Sequence, residues 1–205
     1  YETAAVLCHK VGMQGCKELR EAKHVRWVSK GLSAADLATL GTLGSVLPAL
    51  CSLSLCESSD AAVPDGAQRL AEGLNAGALP AVSYLDLDIH VGDAGALALA
   101  AALGRGALPR LDTLFLMNHT AIGDAGLVAL APALRRLPAL ESLYLFANPF
   151  GDEGLIALMA PPLPAGALPP PTRGLKKLVE LDIEDTLVSD AGCAALAAAL
   201  DSGAL

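Results

Sequence analysis

Residues 137–161 read LPALESLYLFANPFGDEGLIALMAP. Leu137-Pro138-x-Leu140 leads into Leu143-x-Leu145, and Gly151-Asp152-x-Gly154 then opens an apolar stretch. Residues 108–136, LPRLDTLFLMNHTAIGDAGLVALAPALRR, repeat the same register. The anchors Leu47, Leu79, Leu108 and Leu137 stand 32, 29 and 29 residues apart. A period of this length predicts a solenoid: one supersecondary unit repeated, none able to bury its apolar face alone.

Six units can be laid out. They start at Leu19, Leu47, Leu79, Leu108, Leu137 and Leu175, and the first is degenerate, with Val25-x-Trp27 for a strand core and a helix beginning near Ser33. The other cores are Leu53-x-Leu55, Leu85-x-Leu87, Leu114-x-Leu116, Leu143-x-Leu145 and Leu181-x-Ile183. Their alternation is that of a strand with one face buried, whereas Leu127, Leu130 and Leu134 have helical spacing. Asp93, Asp124, Asp152 and Asp190 each precede such a helical stretch, so each is expected to cap its own helix. Stacked units then put a parallel sheet on the inner curve and helices on the outer, with right-handed crossovers.

This register resembles the leucine-rich repeat family, in particular its ribonuclease-inhibitor-like class with repeats of 28 or 29 residues. The resemblance covers roughly residues 19–205. It implies an α/β horseshoe that binds another protein on its concave face. The family keeps an Asn three residues after the second strand Leu. Here Asn148 fits, while Lys30, Ser58, His90, His119 and Thr186 stand in the other units, so a less well satisfied loop ladder is expected.

The domain layout follows. Residues 1–18 form an N-terminal cap or the remnant of a preceding repeat, with Thr3 to Val11 helical. Residues 19–205 form the repeat domain. Residues 161–174, PPLPAGALPPPTRG, interrupt the period, and their six prolines favour an extended surface loop. Pro161 to Pro164 make a P-x-x-P of the kind that SH3 or WW domains dock, though a stiff insertion is the plainer reading. The start without Met, and an end where the next Leu-Pro anchor would begin, suggest cuts in a longer chain.

Composition narrows the function. The chain is 53% hydrophobic but only 3% aromatic, which suits thin Leu and Ala layers rather than a bulky core. A net charge of −8 argues against nucleic acid, whose phosphates call for clustered Lys and Arg. Five cysteines without a CxxC argue against a disulfide framework and for a reducing, intracellular compartment, cytoplasmic or organellar. No charge-free apolar run reaches 18 residues, so membrane insertion is not expected. Cys8, His9 and Cys16 do not have zinc spacing, and a His90–His119 pair near Asp88 more simply replaces the loop Asn. No catalytic motif is present and no cofactor or metal is implied.

The function therefore falls to a surface. Residues before, between and after the two inward Leu of each strand point to the concave face. They are His24, Arg26 and Val28; Ser52, Ser54 and Cys56; Tyr84, Asp86 and Asp88; Thr113, Phe115 and Met117; Ser142, Tyr144 and Phe146; and Glu180, Asp182 and Glu184. Four of the six Phe and Tyr residues fall in this set. The expected partner-binding site is Tyr84, Phe115, Tyr144 and Phe146 with Met117, flanked by Asp86 and Asp88 on one side and by Glu180, Asp182 and Glu184 on the other. An aromatic centre with a charged rim suits a protein partner, here a basic segment with apolar anchors. The alternative is that segments outside this sequence cover the patch. The chain is thus expected to be a non-enzymatic scaffold or a subunit of a large complex. The family resemblance also admits a GTPase activator, a sensor arm, or an inhibitor of a basic enzyme.

Overall fold

The computed structural model describes residues 2–57, 63, 65–118, 120–159 and 175–201. Ser58, His119 and the Pro-rich stretch 161–174 lie outside the described residues. Six strands form one parallel sheet in chain order: β1 His24–Val28, β2 Ser52–Cys56, β3 Tyr84–Asp88, β4 Thr113–Phe115, β5 Ser142–Tyr144 and β6 Glu180–Asp182. Val25, Leu53, Leu85, Leu114, Leu143 and Leu181 align as one row across all six. The first five of these are buried and their strand neighbours mostly are not, as the period of two requires.

Each connection carries a helix: α3 Ala34–Leu43, α4 Gly66–Gly73, α5 Gly92–Gly104, α6 Asp124–Leu134, α7 Asp152–Met159 and, after β6, α8 Asp190–Asp201. Consecutive helices pack on one another in a single layer. Small residues let them come close: a Cβ on Gly41 would lie 2.3 Å from the Leu70 carbonyl oxygen. Between sheet and helices runs one continuous core of Leu, Val and Ala, with Trp27 near its start and Phe150 fully buried in the loop before α7. Before β1, helix α1 Glu2–Lys10 packs on α3, and α2 Cys16–Glu21 leads into the sheet. Ser33 and Asp36 close a capping box at the start of α3, and Lys10 reaches Asp36 at 2.6 Å.

The repeated Asp residues do not cap their own helices as expected. Asp93, Asp124 and Asp152 each cap the helix of the next repeat. Asp93 Oδ1 accepts from the Gly123 and Gly126 N–H groups at 2.8 and 3.0 Å. Asp124 Oδ1 accepts from Gly151 and Gly154 at 2.8 and 2.7 Å. Asp152 Oδ1 accepts from Ser189 and Gly192 at 2.8 and 3.1 Å, and its Oδ2 accepts from the Ser189 hydroxyl. The reason is positional. Gly123 is the N-cap of α6 and Gly126 its third residue, so neither has a side chain with which to satisfy the helix start. The same glycines make room for the neighbour's carboxylate: a Cβ on Gly126 would sit 2.5 Å from Asp93 Oδ1. The Gly-Asp-x-Gly step is thus a plug and a socket, and Asp190 stands at the equivalent sequence position in the last unit.

The loops after the strands are latched in the opposite direction. Asn148 accepts from Thr120 Oγ1 and Ile122 N and donates to the Leu116, Leu145 and Phe146 carbonyls, the first of them in the preceding unit. The first unit's loop is also satisfied, contrary to the expected weakness. Glu57, one position before the expected Asn, turns inward and accepts from Lys30, Gly31 and Leu32 N–H groups. Thr186 donates to the Ile183 carbonyl, reproducing one of the bonds of Asn148.

Two outcomes follow. Asp124→Ala should cost about 1 kcal/mol, the usual worth of a helix cap, and Gly154→Ala should cost about 1–3 kcal/mol by crowding the same carboxylate. Urea unfolding of both single variants and the double variant tests this: sharing of one cap requires the double to cost less than the sum, and strict additivity would refute it. The second outcome concerns pH. The Ser189 hydroxyl and N–H hold the Asp152 carboxyl below the ordinary 3.8. Burial alone would raise Asp36, but Lys10 and Ser33 outweigh it and also hold that carboxyl below 3.8. The folded protein binds these protons less readily than the unfolded chain. Their stabilisation is therefore complete above the ordinary value and is lost as the pH falls through the lower folded values. Between about pH 6 and pH 3, Asp152→Asn should lose less stability than the parent; equal losses would show that Asp152 does not contribute.

Candidate functional site

The inner face of the sheet gathers the expected residues because the register is strict. Asp86, Phe115, Tyr144 and Asp182 are successive partners across β3, β4, β5 and β6. Neighbouring parallel strands stand about 4.8 Å apart, which is near the stacking distance of flat rings. Phe115 and Tyr144 stack at 4.0 Å between centroids and 4° between planes. Tyr84, one row below, meets Phe115 at 5.2 Å and 43°. These three rings form one run, half-buried and open to solvent on one side.

Beyond the strand ends, the Leu116, Asn118, Leu145 and Ala147 N–H groups continue the ladder through the Tyr144, Phe146, Asp182 and Glu184 carbonyls. Met117 and Phe146 are therefore carried on adjacent backbone, and both are half-buried. The turn that follows them passes through the left-handed region at Asn118 and Ala147, which ends each strand.

The carboxylates differ in character. Asp86 Oδ2 accepts from Ser54 Oγ at 2.7 Å, and Oδ1 is enclosed without a hydrogen bond. That bond draws Ser54 down, so this concave residue is 5% exposed rather than open as the strand pattern predicts. On the other flank Glu180 and Glu184 are exposed and Asp182 is half-buried. Tyr144 Oη donates to Glu180 Oε2 at 2.5 Å. This bond raises the Tyr144 phenol above 10.0, with partial burial and the carboxylate charge adding to it. Burial, then the Asp86 charge, also raises Tyr84. Burial raises the Cys56 thiol, and nearby Asp86 and Asp88 add to the effect. On the β1 side the face changes sign, with His24 and Arg26 exposed.

The remaining candidates are less developed. Among the described residues no three His, Cys, Asp or Glu side chains gather to hold a metal. Cys8 and Cys16 lie 3.9 Å apart, and burial pushes the Cys8 thiol up to about 11. His9 is exposed, and His90 is half-buried near Gly92. No helix among the described residues is long and apolar enough to cross a membrane. On the outer face Leu97, Val128 and Ile156 are exposed at equivalent positions of α5, α6 and α7. Sequence reasoning missed the Ser54–Asp86 and Tyr144–Glu180 bonds. Separations of 32 and 36 residues hide both as sequence pairs, although each pair lies on adjacent strands of the inner face.

A leucine-rich repeat family model matches residues 137–159, the unit quoted first. Among solved structures the chain is similar to leiomodin-1 actin-binding site 2, at 15% identity and a TM-score of 0.52, over 82% of this chain and 88% of that one. An internalin, inlF of Listeria monocytogenes, aligns over 94% of this chain and 61% of the other at 16% identity and a TM-score of 0.28. No curated protein matches. The parallel six-stranded sheet, the family match and the leiomodin likeness agree on a leucine-rich repeat solenoid.

In a spectrophotometric titration Tyr144 should ionise above the ordinary phenol value of 10.0, and Glu180→Gln should move it back toward that value. Tyr144→Phe assigns the signal. A Tyr144 titration untouched by Glu180→Gln would show that the bond to Glu180 does not form in solution.

Proposed function

We propose that this leucine-rich repeat solenoid is a non-enzymatic scaffold, or a subunit of a larger assembly, that binds a protein partner through its concave face. One observation carries the reading: a run of three half-buried aromatic rings, open to solvent on one side, lies on the sheet between carboxylates on both flanks. Apolar side chains kept at the surface in one patch mark a contact with another molecule. The flanking charge selects a basic segment carrying apolar anchors. The named role of the leiomodin-1 domain, an actin-binding site, is an example of this fold used to hold a protein; it supports the class of function and names no partner here.

The same reading assigns the chain to the ribonuclease-inhibitor-like class, on its outer α-helices and the 29-residue units that start at Leu79 and Leu108. It takes residues 1–18 as the cap of the stack, 19–205 as the repeat domain and 161–174 as an insertion. Free cysteines at all five positions support a reducing, intracellular setting. The acidic flanks also favour a second reading, inhibition of a basic enzyme.

The test is capture from native extract, with partners identified by mass spectrometry. The parent is compared with a Phe115→Asp, Phe146→Asp double variant after circular dichroism shows both to be folded. Partners recovered by the parent and lost by the variant locate the contact on the concave face. Binding led by the acidic flanks should fall steeply with added salt, whereas contact through the rings should persist. Equal recovery by both proteins would reject the concave face and turn attention to the outer row Leu97, Val128 and Ile156.

A further inference from the structure

The central row of the concave face runs Asp86, Phe115, Tyr144, Asp182, one residue per strand. Its two ends are carboxylates and its middle is a pair of stacked rings. The ends are three strand spacings apart, or about 14 Å. An extended peptide rises about 3.4 Å per residue, so four residues also cover about 14 Å. In such a peptide residues i, i+2 and i+4 share one face. A segment laid across the strands would thus meet Asp86 with its first side chain, the rings with its third, and Asp182 with its fifth.

The two ends ask for different cations. At Asp86 one oxygen is taken by Ser54 and the other is an unmet acceptor enclosed beside the rings. Leaving it so costs free energy in the unbound protein, and a donor from outside recovers that cost once the carboxyl turns toward it. Any ammonium or guanidinium can serve. At Asp182 the neighbour is the outer face of Tyr144. The other face of that ring is covered by Phe115, and Tyr144 Oη is held by Glu180, which fixes the ring's position. A planar guanidinium can continue the ring stack and reach the Asp182 carboxylate edge-on with two N–H donors. A compact ammonium has neither the flat face nor the two-pronged donor edge.

Resting on the concave-face reading above, we propose that this row recognises an extended segment of the pattern basic–x–apolar–x–basic, with arginine at the basic position over Tyr144 and Asp182. Charge complementarity alone would admit any cationic chain. The spacing of the two carboxylates and the flat stack between them are what narrow it.

The probe is a synthetic peptide, Ser-Arg-Ser-Leu-Ser-Arg-Ser, whose symmetry removes the question of chain direction. It is compared by calorimetry with Ser-Ser-Arg-Arg-Leu-Ser-Ser, which has the same composition and charge, and with the first peptide carrying Lys for both Arg. The spaced Arg peptide should bind about tenfold more tightly than the rearranged one, a factor of the size one good charged contact gives. Asp86→Asn and Asp182→Asn should each abolish the spacing preference. Tyr144→Leu should bring the Arg and Lys peptides to equal affinity while leaving their salt dependence, a readout that mere loss of folding would not give. Equal binding of all three peptides to the parent, or absence of binding, overturns the inference. If native-extract capture still depends on Phe115 and Phe146 in that case, the concave-face reading stands without it. If that dependence is absent too, both fail.

Discussion

The carboxylate that leaves one repeat to cap the next is the contact on which the remaining architecture rests. A helix start has orphan N–H groups, and before α6 and α7 the residues that would normally satisfy them are the glycines Gly123 and Gly151. The preceding unit makes good the deficiency, through Asp93 and Asp124, and Asp152 does the same for α8 beside the Ser189 hydroxyl, which accepts from Ala191 N–H. Because N-cap and third residue are served by one oxygen atom, the distance and angle between consecutive helices are fixed to within a hydrogen bond. The helices then set the spacing on the outer side as the ladder sets it on the inner side. The ring stack of Phe115 and Tyr144 depends on both.

Junctions are tied from two directions. Asp124 reaches forward from the fourth unit to the fifth, and Asn148 reaches back from the fifth to the fourth. Each tie uses buried or half-buried polar atoms whose partners lie in another unit, so separating two units would strand donors and acceptors on both sides. Such losses are costly relative to the thin apolar contact that one Leu and Ala layer can supply. Small residues make that layer thin. Gly41 and Gly73 let α3 and α4 meet backbone to backbone, where any side chain would force them apart.

The fold is legible in the sequence because its period is. Leu-x-Leu marks most of the strands, and apolar residues at helical spacing mark the helices. The Asp residues read correctly as caps but are matched to the wrong helix, because a sequence shows that a carboxylate precedes a helix and not that a neighbouring helix start lies within its reach. Glu57 is hidden for a related reason: it sits one position before the expected Asn and arrives at the same loop from a different backbone point. Alternation alone puts the aromatic and acidic residues on the inner face. What alternation does not give is how they use one another. Ser54 is expected in the open and is pulled under by Asp86, and Tyr144 spends its hydroxyl on Glu180. Those choices belong to side-chain rotation, which a period of two does not encode.

The forward-reaching caps also give the solenoid a polarity in time. From the fourth unit to the sixth, a helix start finds a carboxylate acceptor in the repeat made before it. A chain emerging from its N-terminal end meets each new helix with the acceptor already in place. A unit arriving from the other end would have to wait, its N–H groups open to water. These caps by themselves favour assembly in the direction of synthesis, and α8, at the receiving end of the series, can be released without uncapping a helix before it.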